Sequence, residues 1–94
     1  MQVDPDVTEF LAALASETRQ SLLLSFMDGK ERTVGDLVLS SKLKQSTVSA
    51  HLAQLHRSGV LSRRKDGKEV YYRPDRIRIA ELLSRFAAYL RGCC

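Results

Sequence analysis

Apolar residues recur along this chain at helical spacing, interrupted by short polar breaks. Val7, Phe10, Leu11 and Leu14 fall at i, i+3, i+4 and i+7, one stripe of a helix that begins near Pro5, a residue favoured at a first helical position. Ser16 is placed to cap a second helix through "ETRQSLLLSFMDG", with Leu22, Leu23, Phe26 and Met27 inward and Gly29 as its stop. Thr33 and Asp36 have the spacing of a capping box, which starts a third helix carrying Val34, Leu37 and Val38. After the polar break "SSK", Leu43 is an apolar plug, and a fourth helix runs from about Gln45 to Ser58 with Gly59 as its end.

The period then changes. "VLSRRKDGKEVYYRP" holds two short runs of strand-forming residues around "DG", which predicts a β-hairpin with its tip at Asp66 and Gly67. Asp75 caps a last helix whose apolar set is Ile79, Leu82, Leu83, Phe86, Tyr89 and Leu90. The expected order is α-α-α-α-β-β-α, mainly α with a β-hairpin, and no repeat, linker or low-complexity segment divides it. A length of 94 residues leaves room for one domain, residues 1–94. Helices two to four are expected to close that domain. The apolar stripes of helix one and the last helix would then need cover from a second copy.

Composition narrows the class. A hydrophobic fraction of 44% and a charged fraction of 28% exclude a collagen-like, disordered or membrane chain. No apolar run approaches the roughly 20 residues of a membrane span. The start, "MQVDPDVTEF", is acidic where a secretion signal would be basic and then apolar. The expected location is therefore cytoplasmic, with no membrane and no secreted partner, and Cys93 and Cys94 are expected as free thiols. The net charge of +4 is unevenly placed. Residues 1–40 carry three bases against seven acids, and residues 41–94 carry twelve bases against four acids. Such asymmetry suggests a polyanion for one surface, or else a solvated charged face.

The fourth helix and the hairpin decide between those readings. At 100° per residue, Val48, Leu52 and Leu55 define a buried face, and Ser46, Ala50, Ala53 and Arg57 lie opposite. Small outward residues allow close approach to a surface, while Gln, Ser, Thr and Arg can meet base edges and phosphates. The hairpin brings Arg63, Arg64, Lys65 and Lys68 next to this helix. Together they make a winged helix-turn-helix, with double-stranded DNA as the expected partner.

"LASETRQSLLLSF", "TVGDLVLSSKLKQSTVSAHLAQLHRSGVLSRRKDGKEVYYR" and the closing helix resemble the ArsR/SmtB family of small bacterial repressors over nearly the whole chain. The resemblance implies a homodimer built on the first and last helices, here Val7, Phe10, Leu11, Leu14, Leu82, Leu83, Phe86, Tyr89 and Leu90. It implies an imperfect palindromic operator and release by an inducer. Its recognition positions fall on Gln45, Ser46, Thr47, Ser49 and His51, and its wing on Arg63, Arg64, Lys65, Gly67 and Lys68. His51 lies at the edge of the buried face, where it is either a hydrogen-bonded structural histidine or a phosphate contact. Lys44 departs from the short hydroxyl residue usual in the family. Lysine accepts no hydrogen bond, so Ser46 is expected to cap instead, starting the first turn late.

Two of the family's known sensor sites find no ligands here. The third helix, "TVGDLVLSSK", has no thiol, and the last helix has no histidine; the two histidines, His51 and His56, are in the fourth helix. Cys93 and Cys94 remain, and thiolates favour soft ions. The position resembles that of arsenite-responsive members with thiols at the end of the last helix, which implies As(III) or Sb(III) as inducer and no permanent cofactor. Gly92 lets the pair leave helical geometry, and Arg91 favours the thiolates. A redox or persulfide response, or no response at these cysteines, are the alternatives. An enzyme is not expected, because no nucleophile elbow, phosphate loop, Cys-x-x-Cys turn or paired-carboxylate cleft is present.

Overall fold

The computed structural model describes residues 2–92, in the order α1 (Pro5–Leu14), α2 (Glu17–Leu24), α3 (Val34–Ser41), α4 (Gln45–Arg57), β1 (Leu61–Asp66), β2 (Glu69–Pro74) and α5 (Arg76–Leu90). The predicted caps form. Ser16 Oγ accepts from the Arg19 N–H, Asp75 from that of Arg78, and Thr33 and Asp36 make a reciprocal capping box. α2 is shorter than its apolar pattern suggests. Residues 25–28 are a chain of turns, in which the Phe26 and Met27 amides reach carbonyls only three residues back, Leu23 and Leu24. Phe26 still fills the core, but Met27 turns outward and is 48% exposed.

The core draws on every element. Val7 and Phe10 of α1, Leu37 of α3, Val48, Leu52 and Leu55 of α4, Val60 before the hairpin and Leu82 of α5 are fully buried around Phe26. This corrects the expectation that α2 to α4 close the domain alone. α1 lies along α5, where the Asp4 amide donates to Tyr89 Oη at 3.1 Å and Arg85 and Arg78 pair with Asp4 and Asp6. The two outer helices cover each other before any second copy is considered.

The antiparallel hairpin pairs Leu61 with Pro74 through Asp66 with Glu69. Its loop is thus Gly67 and Lys68, one residue beyond the expected tip. Gly67 has φ +62° and Lys68 a negative φ, the pattern of a turn with glycine at its first central position. A further strand position was not foreseen. Arg32 bridges Tyr72 antiparallel, each amide donating to the other's carbonyl at 2.9 and 2.8 Å, so the segment before α3 flanks β2.

Candidate nucleic-acid interface

α4 presents two faces. Val48, Leu52 and Leu55 are wholly buried, while Gln45, Ser46, Ser49 and Ala50 are exposed and Thr47 is half-buried. The helix starts at Gln45, with Lys44 as an N-cap that makes no side-chain hydrogen bond. Ser46 therefore lies inside the first turn and does not cap, contrary to expectation, and its hydroxyl stands outward. The first-turn amides lack a side-chain cap and carry the partial positive charge of the helix dipole.

His51 is half-buried and meets a side chain of α2. Its Nδ1 is 3.3 Å from Arg19 Nη1, and since a guanidinium only donates, Nδ1 is the acceptor of that contact. Arg19 also donates to the carbonyls of Ala13 at 2.6 Å and Ala12 at 3.2 Å, capping the end of α1. Sequence reading missed Arg19, whose signal was only that it is one of three bases in an acidic segment. Arg57 is exposed at the other end of α4. It lies about 18 Å along the helix from Gln45, lining a small pocket of about 70 Å³ with Asp6, Glu9 and Arg78.

On the wing, Arg63, Lys65 and Lys68 are exposed and have no carboxylate partner among the described residues. Burial and, after it, the charge of Arg63 hold the pKa of His56 below its ordinary value. Arg64 differs. Its Nε and Nη2 donate to the two carboxylate oxygens of Glu31 at 2.7 and 2.9 Å, and its guanidinium lies 4.6 Å from the centre of the Tyr71 ring. The hydrogen bonds from Arg64 lower the pKa of Glu31.

A reading helix beside a basic β-ribbon has counterparts among known proteins. The family model of the bacterial regulatory proteins of the arsR family matches residues 16–63, from the cap of α2 to the first wing cation. This chain belongs to the arsR family. That family consists of DNA-binding transcriptional regulators and not of enzymes. The chain is 40% identical over 80 residues to a probable mercury resistance operon repressor of Streptomyces lividans, covering 84% of this chain and 63% of that one. It is 43% identical over 60 residues to the arsenical resistance operon repressor of Escherichia coli, covering 64% and 51%. A solved possible transcriptional regulator for arsenical resistance superposes with a TM-score of 0.74 at 33% identity, over 86% of this chain and 83% of that one. The chain spans between about a third and two thirds of the length of the first curated relatives it matches.

The remaining expected sites of this arsR-family chain divide in two. Cys93 and Cys94 lie outside the described residues, among which no group of three or more His, Cys, Asp or Glu side chains could hold a metal ion. No helix among them is long and apolar enough to cross a membrane. Of the expected dimer residues, Val7, Phe10 and Leu82 are already fully covered within the chain and have no surface to offer a partner. Leu11, Leu14, Phe86 and Tyr89 are half-buried. Leu83 and Leu90 are 48% and 72% exposed. With Ala80 and Ala87 they form one stripe about 80° wide on α5.

Proposed function

We propose that this protein is a transcriptional repressor that binds a palindromic DNA operator as a homodimer and is released by a thiophilic metalloid or metal held by Cys93 and Cys94. The carrying observation is the juxtaposition of the outward polar end of α4 with unpaired wing cations. Gln45, Ser46, Thr47 and Ser49 read base edges in the major groove, and Arg63, Lys65 and Lys68 engage phosphates or the adjacent minor groove. The exposed Leu83 and Leu90 stripe of α5 meets its counterpart in a second copy. The operator palindrome follows from that two-fold axis.

The inducer reading rests on the chain's only two thiols and on the kinship with repressors of mercury and arsenical resistance operons. Arsenite and antimonite suit sulfur ligands, and the pair follows directly on Gly92, whose φ of +61° ends α5. An ion bound there acts on the last helix, hence on the dimer contact and the spacing of the two reading helices. An operator gel shift with arsenite, antimonite, zinc, cadmium and peroxide tests it on wild type and on Cys93→Ser/Cys94→Ser. Arsenite should release the wild type only. Release of the double variant by arsenite sinks the cysteine site, and release by peroxide alone favours a redox response.

A further inference from the structure

We propose that Glu31 and Arg64 form a clamp that sets the pose of the wing, and that Arg64 is a positioning residue and not a DNA contact. The inference rests on the DNA-binding reading above and removes Arg64 from the wing contacts expected from the sequence. Three features of the sheet carry it. Alternation along β1 puts Arg63 and Lys65 on one side, with Tyr72 and Val70 opposite them, and Arg64 on the other side with Tyr71. The first side is the one packed on the body, since Leu61 and Tyr72 on that side are buried in the core with the apolar face of α4. Arg64 therefore points away from the reading helix.

What it points at lies across the sheet. The isolated antiparallel bridge of Arg32 with Tyr72 sets the segment around residue 32 against the far edge of β2. By the same alternation Glu31 lies on the side of Tyr71 and Arg73, and the charge of Arg73 reaches it. The Arg64 guanidinium thus crosses over the Tyr71 ring of β2 and meets Glu31 of the bridged segment with two parallel hydrogen bonds. Planar bidentate pairing combined with ring stacking fixes direction as well as distance, which a lysine cannot reproduce. Asp66, at 3.8 Å, adds a second acid beside Arg64 on the wing itself. The base of the ribbon is anchored in the core by Leu61 and Tyr72, but its outer face, away from α4, meets the body only at the segment before α3. The clamp fastens that outer face as well, so that Arg63, Lys65 and Lys68 meet DNA already aimed.

The test uses Glu31→Gln, Arg64→Gln and the double variant, with a duplex selected by the wild-type protein from a random pool. A clamp predicts that each single change weakens binding about three- to fivefold, that the double change is no worse than either, and that the slope of log affinity against log salt stays at the wild-type value. Melting temperatures should barely move, and amide exchange at Arg32 and Tyr72 should quicken in the free variants. If instead Arg64→Gln lowers the salt slope by about 0.9, as loss of one phosphate contact does, and Glu31→Gln binds as tightly as wild type or tighter, the clamp is wrong. Unchanged exchange at Arg32 and Tyr72 also overturns it. Should the wild type select no duplex, the DNA reading fails, and the exchange experiment alone decides the clamp.

Discussion

His56 and Glu31 are titratable groups whose surroundings push them in ways that solution experiments can separate. Burial, and then the nearby charge of Arg63, lower the pKa of His56 from its ordinary 6.5. The folded state prefers the neutral ring, whereas the unfolded chain takes up a proton near the ordinary value. As pH falls below about 6.5 the unfolded state binds more protons, so stability declines toward acid and is level above that point. Calorimetry between pH 7.5 and 5.5 should show a falling Tm in wild type and a shallower fall in His56→Gln. Parallel curves would assign the slope to another group. Glu31 works in a lower window: its pKa is depressed from 4.5, so its contribution is present above that value and is lost as pH falls through the depressed one. At this scale the sequence was legible where a role is local. The caps at Ser16, Thr33 and Asp75 announce themselves by spacing alone. Arg19 and Arg64 were not readable, because their partners His51 and Glu31 lie 32 and 33 positions away and no periodicity connects them.

The elements divide in the same way. α4 was readable in both of its faces, since a single helix carries its own 100° geometry. That permits a paired prediction. Leu52→Ala removes a fully buried side chain and should cost about 2 to 5 kcal/mol in denaturant unfolding. Ser49→Ala, on the exposed face, should stay within about 0.5 kcal/mol of wild type yet weaken binding to the selected duplex. If Ser49→Ala binds as wild type does, Ser49 has no place in the reading face. The hairpin was readable as a hairpin but one residue out of phase, because "DG" marks a turn without stating which residues close it. Register is visible only in the pairing of Asp66 with Glu69. A methyl group added at Gly67 would stand in open space, with no atom within 4 Å. Gly67→Ala therefore meets only the backbone penalty of its positive φ, about 1 kcal/mol, and should loosen exchange in the hairpin while leaving α1 to α4 unaffected. The strand position at Arg32 left no trace in the sequence, since one bridged residue is too short to show alternation.

At the scale of the whole molecule, the apolar stripes of α1 and α5 look alike on a helical wheel, but burial separates them. Val7, Phe10 and Leu82 belong to the chain's own core, because α1 and α5 are fastened by Tyr89, Arg85 and Arg78. Leu83 and Leu90 have no such cover. A wheel reports that a face is apolar and not which neighbour reaches it, so the interface read from sequence mixed core with contact. The separation makes the dimer testable without wrecking the fold. Leu83→Asp/Leu90→Asp should retain a cooperative melt, whereas Leu82→Asp should not fold. Sedimentation should then find the first variant monomeric where wild type is dimeric. A monomer engages one half-site and loses the effective-concentration gain of the second, on the order of a hundredfold or more in affinity, and its salt slope should fall to about half, in proportion to the phosphates neutralised. A variant that stays dimeric with wild-type affinity would move the two-fold axis off α5. That outcome would also remove the route by which an ion at the end of α5 reaches the reading helices.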